Sequence, residues 1–338
     1  MKNYYEKALN LRDEYGWDNK DWARHTGIRQ SYLEAIANGS APEDKDVLKE
    51  LIQSTMYSKF KGMPKMARFS SPVVLAISIH KGGSGKTTCA VGIADDLASR
   101  GYNVLLIDSD SQMDATSTLL PGVDTSTKSL FASLAVGSDV RPQIFETNYD
   151  RLDIVPSSTR MASAEAMLMS QATSGIKSDY TFRAILEGVR NDNYYDFIIV
   201  DMDKTIGSLN RSILTGCTHL LMVAEASLYH LSGFAVMKEQ FDVIKDTTNP
   251  DLELLGVVFN KVSARKSIVS EMESTFDENL PGFRFKSYIR NDASVEKAQW
   301  NNLPLRVYNK RSNAWKDIMA VTDEIIERLS NSSLLIKK

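Results

Sequence analysis

The chain is poor in the residues that cross-link or metallate small folds. Its 338 residues include two cysteines, Cys89 and Cys217, and four histidines. Two cysteines cannot build a disulfide framework, and neither they nor the scattered histidines have metal-site spacing. Long apolar runs are missing too: stretches such as Leu254 to Phe259 reach about six residues, against the ~20 needed to cross a bilayer. No basic, apolar, small-residue opening marks a secretory signal. A large excess of one charge is also absent, since the net charge is −3, which excludes a passive nucleic-acid coat. A membrane-spanning protein, a secreted disulfide scaffold and a zinc finger are thereby excluded, and the expected location is the cytoplasm. What is present is an ordinary globular mixture, 43% hydrophobic and 25% charged, long enough for about two domains.

Charge is informative once it is divided. Between Glu50 and Asp95 there is no carboxylate, whereas Lys59, Lys61, Lys65, Arg68, Lys81 and Lys86 all fall there. Residues 54–72 combine part of that cluster with Gly62, Pro64 and a Ser70-Ser71-Pro72 close, which predicts a basic linker. Upstream, residues 1–53 read as helical throughout. Downstream, over residues 73–338, short apolar runs alternate with helical stretches, the signature of βαβ units. Strands are predicted at Val73–Ile79, Asn103–Asp108, Leu152–Pro156, Asp196–Asp201, His219–Val223, Leu254–Phe259 and Phe283–Ile289. Helices are predicted at Thr87–Arg100, Tyr180–Arg190, Leu228–Ile244 and Ala314–Leu329. The expected fold is therefore α/β, a mostly parallel twisted sheet flanked by helices, preceded by a small all-α unit.

The strongest local signal is His80-Lys81-Gly82-Gly83-Ser84-Gly85-Lys86-Thr87-Thr88, directly after a β-branched run and directly before an amphipathic helix. That is the context a phosphate-binding loop requires. Glycines let backbone N–H groups turn toward phosphate oxygens with no Cβ in the way, and the helix start adds its dipole and unpaired amides. Lys86 is expected along the β- and γ-phosphates, and the Thr87 hydroxyl on Mg²⁺. The loop departs from the ordinary P-loop formula at His80, where a glycine is usual, and carries an extra lysine at Lys81.

With that departure, Lys81 to Thr88 resembles the deviant Walker A box of the ParA/MinD family of ATPases. Val104 to Gln112 resembles the family's second strand and first switch, Tyr195 to Asp201 its Walker B strand, and Leu254 to Asn260 a later strand. Ile289-Arg290-Asn291 resembles its late nucleotide-side loop. The resemblance covers most of residues 73–330 and implies a P-loop fold, ATP and Mg²⁺ as cofactors, and ATP hydrolysis. It implies that Lys81 reaches the partner's phosphates across an ATP-sandwiched homodimer, that Asp110 positions the attacking water and helps hold Mg²⁺, and that Asp201 stands behind the metal. Asn260 takes the position of an adenine-contacting asparagine. Two departures stand out. Ser111-Gln112-Met113-Asp114 replaces the usual Pro-Gln-Gly-Asn, and Asp203-Lys204 replaces a Pro-Pro pair. Extra carboxylates at Asp114 and Asp203 either repel a triphosphate or bind a cation, so ATP binding is better founded than rapid hydrolysis.

Within residues 1–53, Trp22-Ala23-Arg24-His25-Thr26-Gly27-Ile28 followed by Leu33 and Ile36 has the spacing of a helix-turn-helix, closed by Asn38-Gly39. The piece resembles the Cro/repressor type, in which Arg29, Gln30, Ser31 and Tyr32 would start the recognition helix. A helical dimerisation cap fits the same residues. Lys261, Arg265 and Lys266 suit DNA phosphates or a solvated helix start equally. Met161, Met167 and Met169 suit core or interface filling. In the C-terminal helix, Trp315, Ile318, Met319, Ile325 and Ile326 share a face. With Asp317, Asp323, Glu324 and Glu327 present, that helix is expected to pack on the sheet rather than bind membrane, and only Leu334 to Lys338 hints at a membrane tail.

The function that these features and the resemblance together imply is a DNA-segregation ATPase. It would dimerise on ATP, bind DNA, answer to a ParB-like partner and repress its own operator through residues 1–53. The alternative is a nucleotide-gated transcription regulator that hydrolyses ATP little. A MinD-like membrane-positioning role ranks behind both.

Overall fold

Uninterrupted runs of Val, Leu and Ile cannot sit half in water, and a parallel sheet covered on both faces accommodates them. The computed structural model describes residues 9–10, 12–13, 17–26, 30–40, 71–79, 82–205, 207–225, 229–263, 273–274, 276–278 and 281–330. In it these runs become β1 (Val73–Ser78), β2 (Val104–Asp108), β4 (Leu152–Val155), β5 (Phe197–Asp201), β6 (His219–Glu225) and β7 (Glu253–Asn260), with a two-residue β3 (Phe145–Glu146). Spatial order is β3-β4-β2-β5-β1-β6-β7. Only β3 runs antiparallel to its neighbour.

The described helices are α1 (Asn19–Thr26), α2 (Gln30–Ala37), α3 (Lys86–Ser99), α4 (Asp114–Leu119), α5 (Leu130–Val136), α6 (Ala164–Thr173), α7 (Thr181–Asp192), α8 (Ser208–Gly216), α9 (Tyr229–Thr247), α10 (Ala293–Trp300), α11 (Leu305–Asn309) and α12 (Asn313–Leu329). On one face of the sheet, α3 and α12 supply Ile93, Leu97, Trp315, Ile318 and Ile325 to the core. On the other, α7, α8 and α9 supply Phe182, Ile185, Ile213, Phe234 and Met237. Gly92 lets α12 come close, since a Cβ there would meet Ile318 Cδ1 at 2.8 Å. Arg306 holds the buried Asp95 of α3 at 2.7 Å. The C-terminal helix thus packs on the sheet side, with Met319 left exposed. No described helix is long and apolar enough to cross a membrane.

The expected strand at Phe283–Ile289 is replaced by two isolated parallel bridges, Val257 to Arg284 and Val262 to Arg290. The Phe285 and Ile289 amides do donate to Val257 and Phe259 of β7, but the Ser287 amide between them goes to the Glu324 carboxylate at 2.9 Å, alongside that of Lys286 at 3.0 Å, which interrupts the ladder. At the N-terminal end, α1 and α2 bury Trp22, Ala23, Leu33 and Ile36. Gly39, at φ 71°, ends α2. Gly27 to Arg29, most of the 54–72 linker and the tail from Leu334 lie outside the described residues.

Candidate active site

Where β1 gives way to α3 the chain must turn sharply while keeping its amides pointed inward. Gly83 and Gly85 do this at φ 77° and 86°, a region that costs a residue with a Cβ roughly 1–2 kcal/mol. Gly85 caps α3, with Lys86 and Thr87 in its first turn. A second constraint acts on Gly85. Asn260, at the end of β7, donates from Nδ2 to the Ser84 carbonyl at 2.8 Å and accepts from the Lys261 amide at 2.8 Å. A Cβ on Gly85 would overlap that same Nδ2. Asn260 therefore lines the cavity, but its amide is committed to holding the glycine loop.

Opposite the loop, β2 and β5 lie side by side in a register that pairs Asp108 with Asp201. Two buried carboxyl groups thus end neighbouring strands at the same level. Asp108 accepts from the Thr116 amide at 2.8 Å, the Thr116 hydroxyl at 2.6 Å and the Asp110 amide at 3.1 Å. Burial nevertheless pushes its pKa up to about 6. Asp201 has neither oxygen in a hydrogen bond among the described residues. Burial, then the charge of Asp108, raise its pKa well above the carboxylate range; the Thr87 hydroxyl, short of a full bond, and the Lys86 charge pull the other way. Asp110 is half-buried, accepts from the Gln112 amide at 2.9 Å, and is also raised, chiefly by burial. Lys86 is lowered by burial although Asp201, Asp110 and Asp203 all favour its charged form.

Lys86 and Asp110 share a cavity of about 510 Å³ with Gly82, Thr87, Asp203, Lys204 and Asn260, within the usual range for a small-molecule site, while Asp108 and Asp201 are buried and do not line it. A buried orphan carboxylate near a hydroxyl, with a second carboxylate at the rim, is a hard-oxygen donor set, and the residues present fit Mg²⁺. Ser84 is buried, and Thr88 accepts from Gln299 Nε2 at 2.9 Å on the cavity wall. The structure therefore brings together Gly82, Gly83, Ser84, Gly85, Lys86, Thr87, Thr88, Asp110, Asp201 and Asn260. Lys81, Arg29, Arg265 and Lys266 lie outside the described residues. Gln30 and Ser31 line a different cavity, beside the carboxylates of Glu146, Asp153 and Asp192, while Tyr32 is half-buried.

Three contributors were not singled out as site residues. Thr116 fixes Asp108 across a loop, and Glu165 of α6 caps α8 by accepting from the Ser208 and Leu209 amides at 2.8 and 3.0 Å. Neither leaves a local signature in the sequence. Lys204 does: it stands where the family resemblance leads one to expect proline.

Residues 73–254 match the AAA_31 family model, described as an AAA domain. The chain belongs to that family. It is similar to the chromosome partitioning protein ParA of Myxococcus xanthus, at 26% identity over 75% of this chain and 88% of that protein. It is likewise similar to the sporulation initiation inhibitor protein Soj of Bacillus subtilis, at 27% identity over 75% of this chain and 97% of that one. Among solved structures, cobyrinic acid a,c-diamide synthase of Mycobacterium smegmatis, with a bound ATP analogue and magnesium, superimposes with a TM-score of 0.65 at 21% identity, covering 79% of this chain and 99% of that one. The last likeness is one of fold. Together with the glycine loop and the paired strand-end carboxylates, the family makes this chain a ParA-type P-loop ATPase, acting on ATP with Mg²⁺.

Proposed function

We propose that this ATPase segregates DNA: it dimerises on ATP, binds DNA without sequence preference in that state, and is reset by hydrolysis under a ParB-like partner. The observation that carries the reading is a cavity lined by Lys86 and Thr87 at the start of α3 and by Asp110 just after β2, with the charge of Asp201 at the end of β5 acting on Lys86. The name of the Myxococcus relative, a chromosome partitioning protein, supports the choice of cargo. Residues 1–53, whose Trp22, Leu33 and Ile36 pack α1 on α2, read an operator and make the protein its own repressor. In this reading Lys81 serves the partner's phosphates, and Arg29, Gln30, Ser31, Tyr32, Arg265 and Lys266 meet DNA.

Phosphoryl transfer needs little covalent help from a protein; positioning and charge neutralisation do the catalysis. Mg²⁺, when bound, neutralises charge on the transferring phosphoryl group. Thr87 and Asp201 would hold it, with Asp110 at the rim. Lys86 neutralises the β- and γ-phosphates. The loop amides from Gly82 to Gly85 and the α3 N-terminus supply fixed positive dipole. Asp110 orients the attacking water, which explains why it stays half-exposed while Asp201 is buried.

Steady-state ATP turnover with and without DNA, measured for the wild type and Asp110→Ala, tests the reading. Slow turnover that DNA or a partner raises and that the variant loses, with ATP-dependent DNA binding retained, is expected. Tight ATP binding with no turnover under any condition favours the nucleotide-gated regulator instead, a reading that the carboxylates at Asp114 and Asp203 on the cavity wall support. Deleting residues 1–53 is expected to remove operator footprints and spare ATP affinity; footprints that survive the deletion count against the N-terminal assignment.

A further inference from the structure

The start of α2 faces the rest of the chain. Gln30 and Ser31, its first two residues, line a cavity of about 570 Å³ whose other wall is the β3–β4 edge of the sheet and the turn between α7 and β5. That wall carries three carboxylates, Glu146, Asp153 and Asp192, and no lysine or arginine is among the described residues lining the cavity. Asp153 accepts from the Tyr195 hydroxyl at 2.7 Å, and Asp192 accepts from Arg141 Nη1 at 3.1 Å. Glu146 and Asp192 stay exposed. On the helix side, Gln30 Nε2 donates to Glu34 Oε1 at 2.7 Å, and Ser31 is exposed. The unit that carries this turn is packed in its own right, since Trp22, Leu33 and Ile36 are buried.

A helix that reads DNA places its first turn in a major groove about 12 Å wide, with phosphates on either side. In this chain the same turn stands against a protein wall. A space of 570 Å³ between helix and sheet edge leaves no room for a duplex, and duplex phosphates approaching it would meet the exposed Glu146 and Asp192 carboxylates. We propose that the β3–β4 edge holds the N-terminal unit in a pose that cannot read DNA, with Glu146 and Asp192 standing where operator phosphates would stand, and that operator binding requires α2 to leave this edge. The inference rests on the operator reading of residues 1–53 and adds its regulation. A helix start favours negative charge in either setting, because its free amides and dipole are the same whether the anion is a phosphate or a carboxylate. The two occupants therefore compete, and apparent operator affinity falls by the fraction of molecules that are undocked. A unit docked about nine-tenths of the time binds roughly tenfold more weakly than a free one.

Binding of the full chain to a labelled duplex taken from immediately upstream of its own coding sequence tests this. Cys89 and Cys217 are buried, so Ser31→Cys combined with Glu146→Cys adds two accessible thiols to a chain whose own two are shielded. A short thiol cross-linker with a reducible spacer is expected to join positions 31 and 146 within one chain. The joined chain should bind the duplex roughly tenfold more weakly or worse, and recover when the spacer is reduced. Ser31→Cys alone, treated with the same reagent, is the reference. Without any cross-link, Glu146→Gln with Asp192→Asn should tighten duplex binding by roughly three- to tenfold and leave ATP affinity unchanged. Failure of positions 31 and 146 to join overturns the docked pose. A joined chain that binds as tightly as the reference, or neutralised carboxylates that leave binding unchanged, overturns the inhibition. A duplex that no form of the chain binds, while ATP binding persists, overturns the operator reading itself, and the inhibition falls with it.

Discussion

Lys86→Ala is expected to abolish ATP binding without unfolding the protein. Lys86 is buried at the start of α3 among Asp201, Asp110 and Asp203, and burial already holds its pKa down. Triphosphate oxygens entering this cavity would meet the Asp110 and Asp203 carboxylates without the Lys86 charge to oppose them. Removing one partner from a buried, charged contact costs roughly 3–5 kcal/mol, a hundred- to several-thousandfold in affinity. The fold survives because Asp201, already raised by burial and by Asp108, relieves the lost counter-charge by holding its proton. A nucleotide titration beside a thermal melt checks both halves, and unchanged affinity would remove the phosphate-loop assignment.

Gly85→Ala should cost both stability and nucleotide affinity, and for two separable reasons. Its φ of 86° penalises a Cβ by roughly 1–2 kcal/mol. The same Cβ displaces the Asn260 amide from the Ser84 carbonyl, leaving buried polar groups unpaired at roughly 1–3 kcal/mol. Gly83 provides the control, since at φ 77° a Cβ there meets nothing within 4 Å. Gly83→Ala should therefore show the backbone penalty alone, and Asn260→Ala the lost clamp alone. Melting temperatures ranked with Gly85→Ala lowest are expected. If Gly85→Ala and Gly83→Ala melt together and bind nucleotide equally, the clamp has no energetic role.

Much of this was readable from the chain, because strands covered on both faces appear as unbroken apolar runs. The runs ending in Asp108 and Asp201 announced β2 and β5, and with them the carboxyl ends where α/β sheets gather ligands. β3 was not readable: Phe145 and Glu146 are two residues with no period to detect. Phe283–Ile289 read as a strand because its apolar content is right, but the Glu324 carboxylate that takes the Ser287 amide out of the ladder sits in a distant helix. Asn260 was placed in the site by resemblance, while its grip on Ser84 spans most of the fold and has no local sequence mark. Thr116 and Asp108 pose the same problem on a smaller scale, since the pairing is made only once α4 docks on β2.

The Asn260 to Ser84 bond has a temporal side. Its two ends are 176 residues apart in the chain, and a ribosome adding about 5–20 residues per second needs roughly 10–35 s to make that stretch. Until β7 has been synthesised and has paired with β6, the glycine loop of a nascent chain lacks the Asn260 clamp on Ser84. Full nucleotide affinity is thus expected only once β7 is in place, and a truncated product ending before residue 260 is expected to bind ATP more weakly than the finished protein.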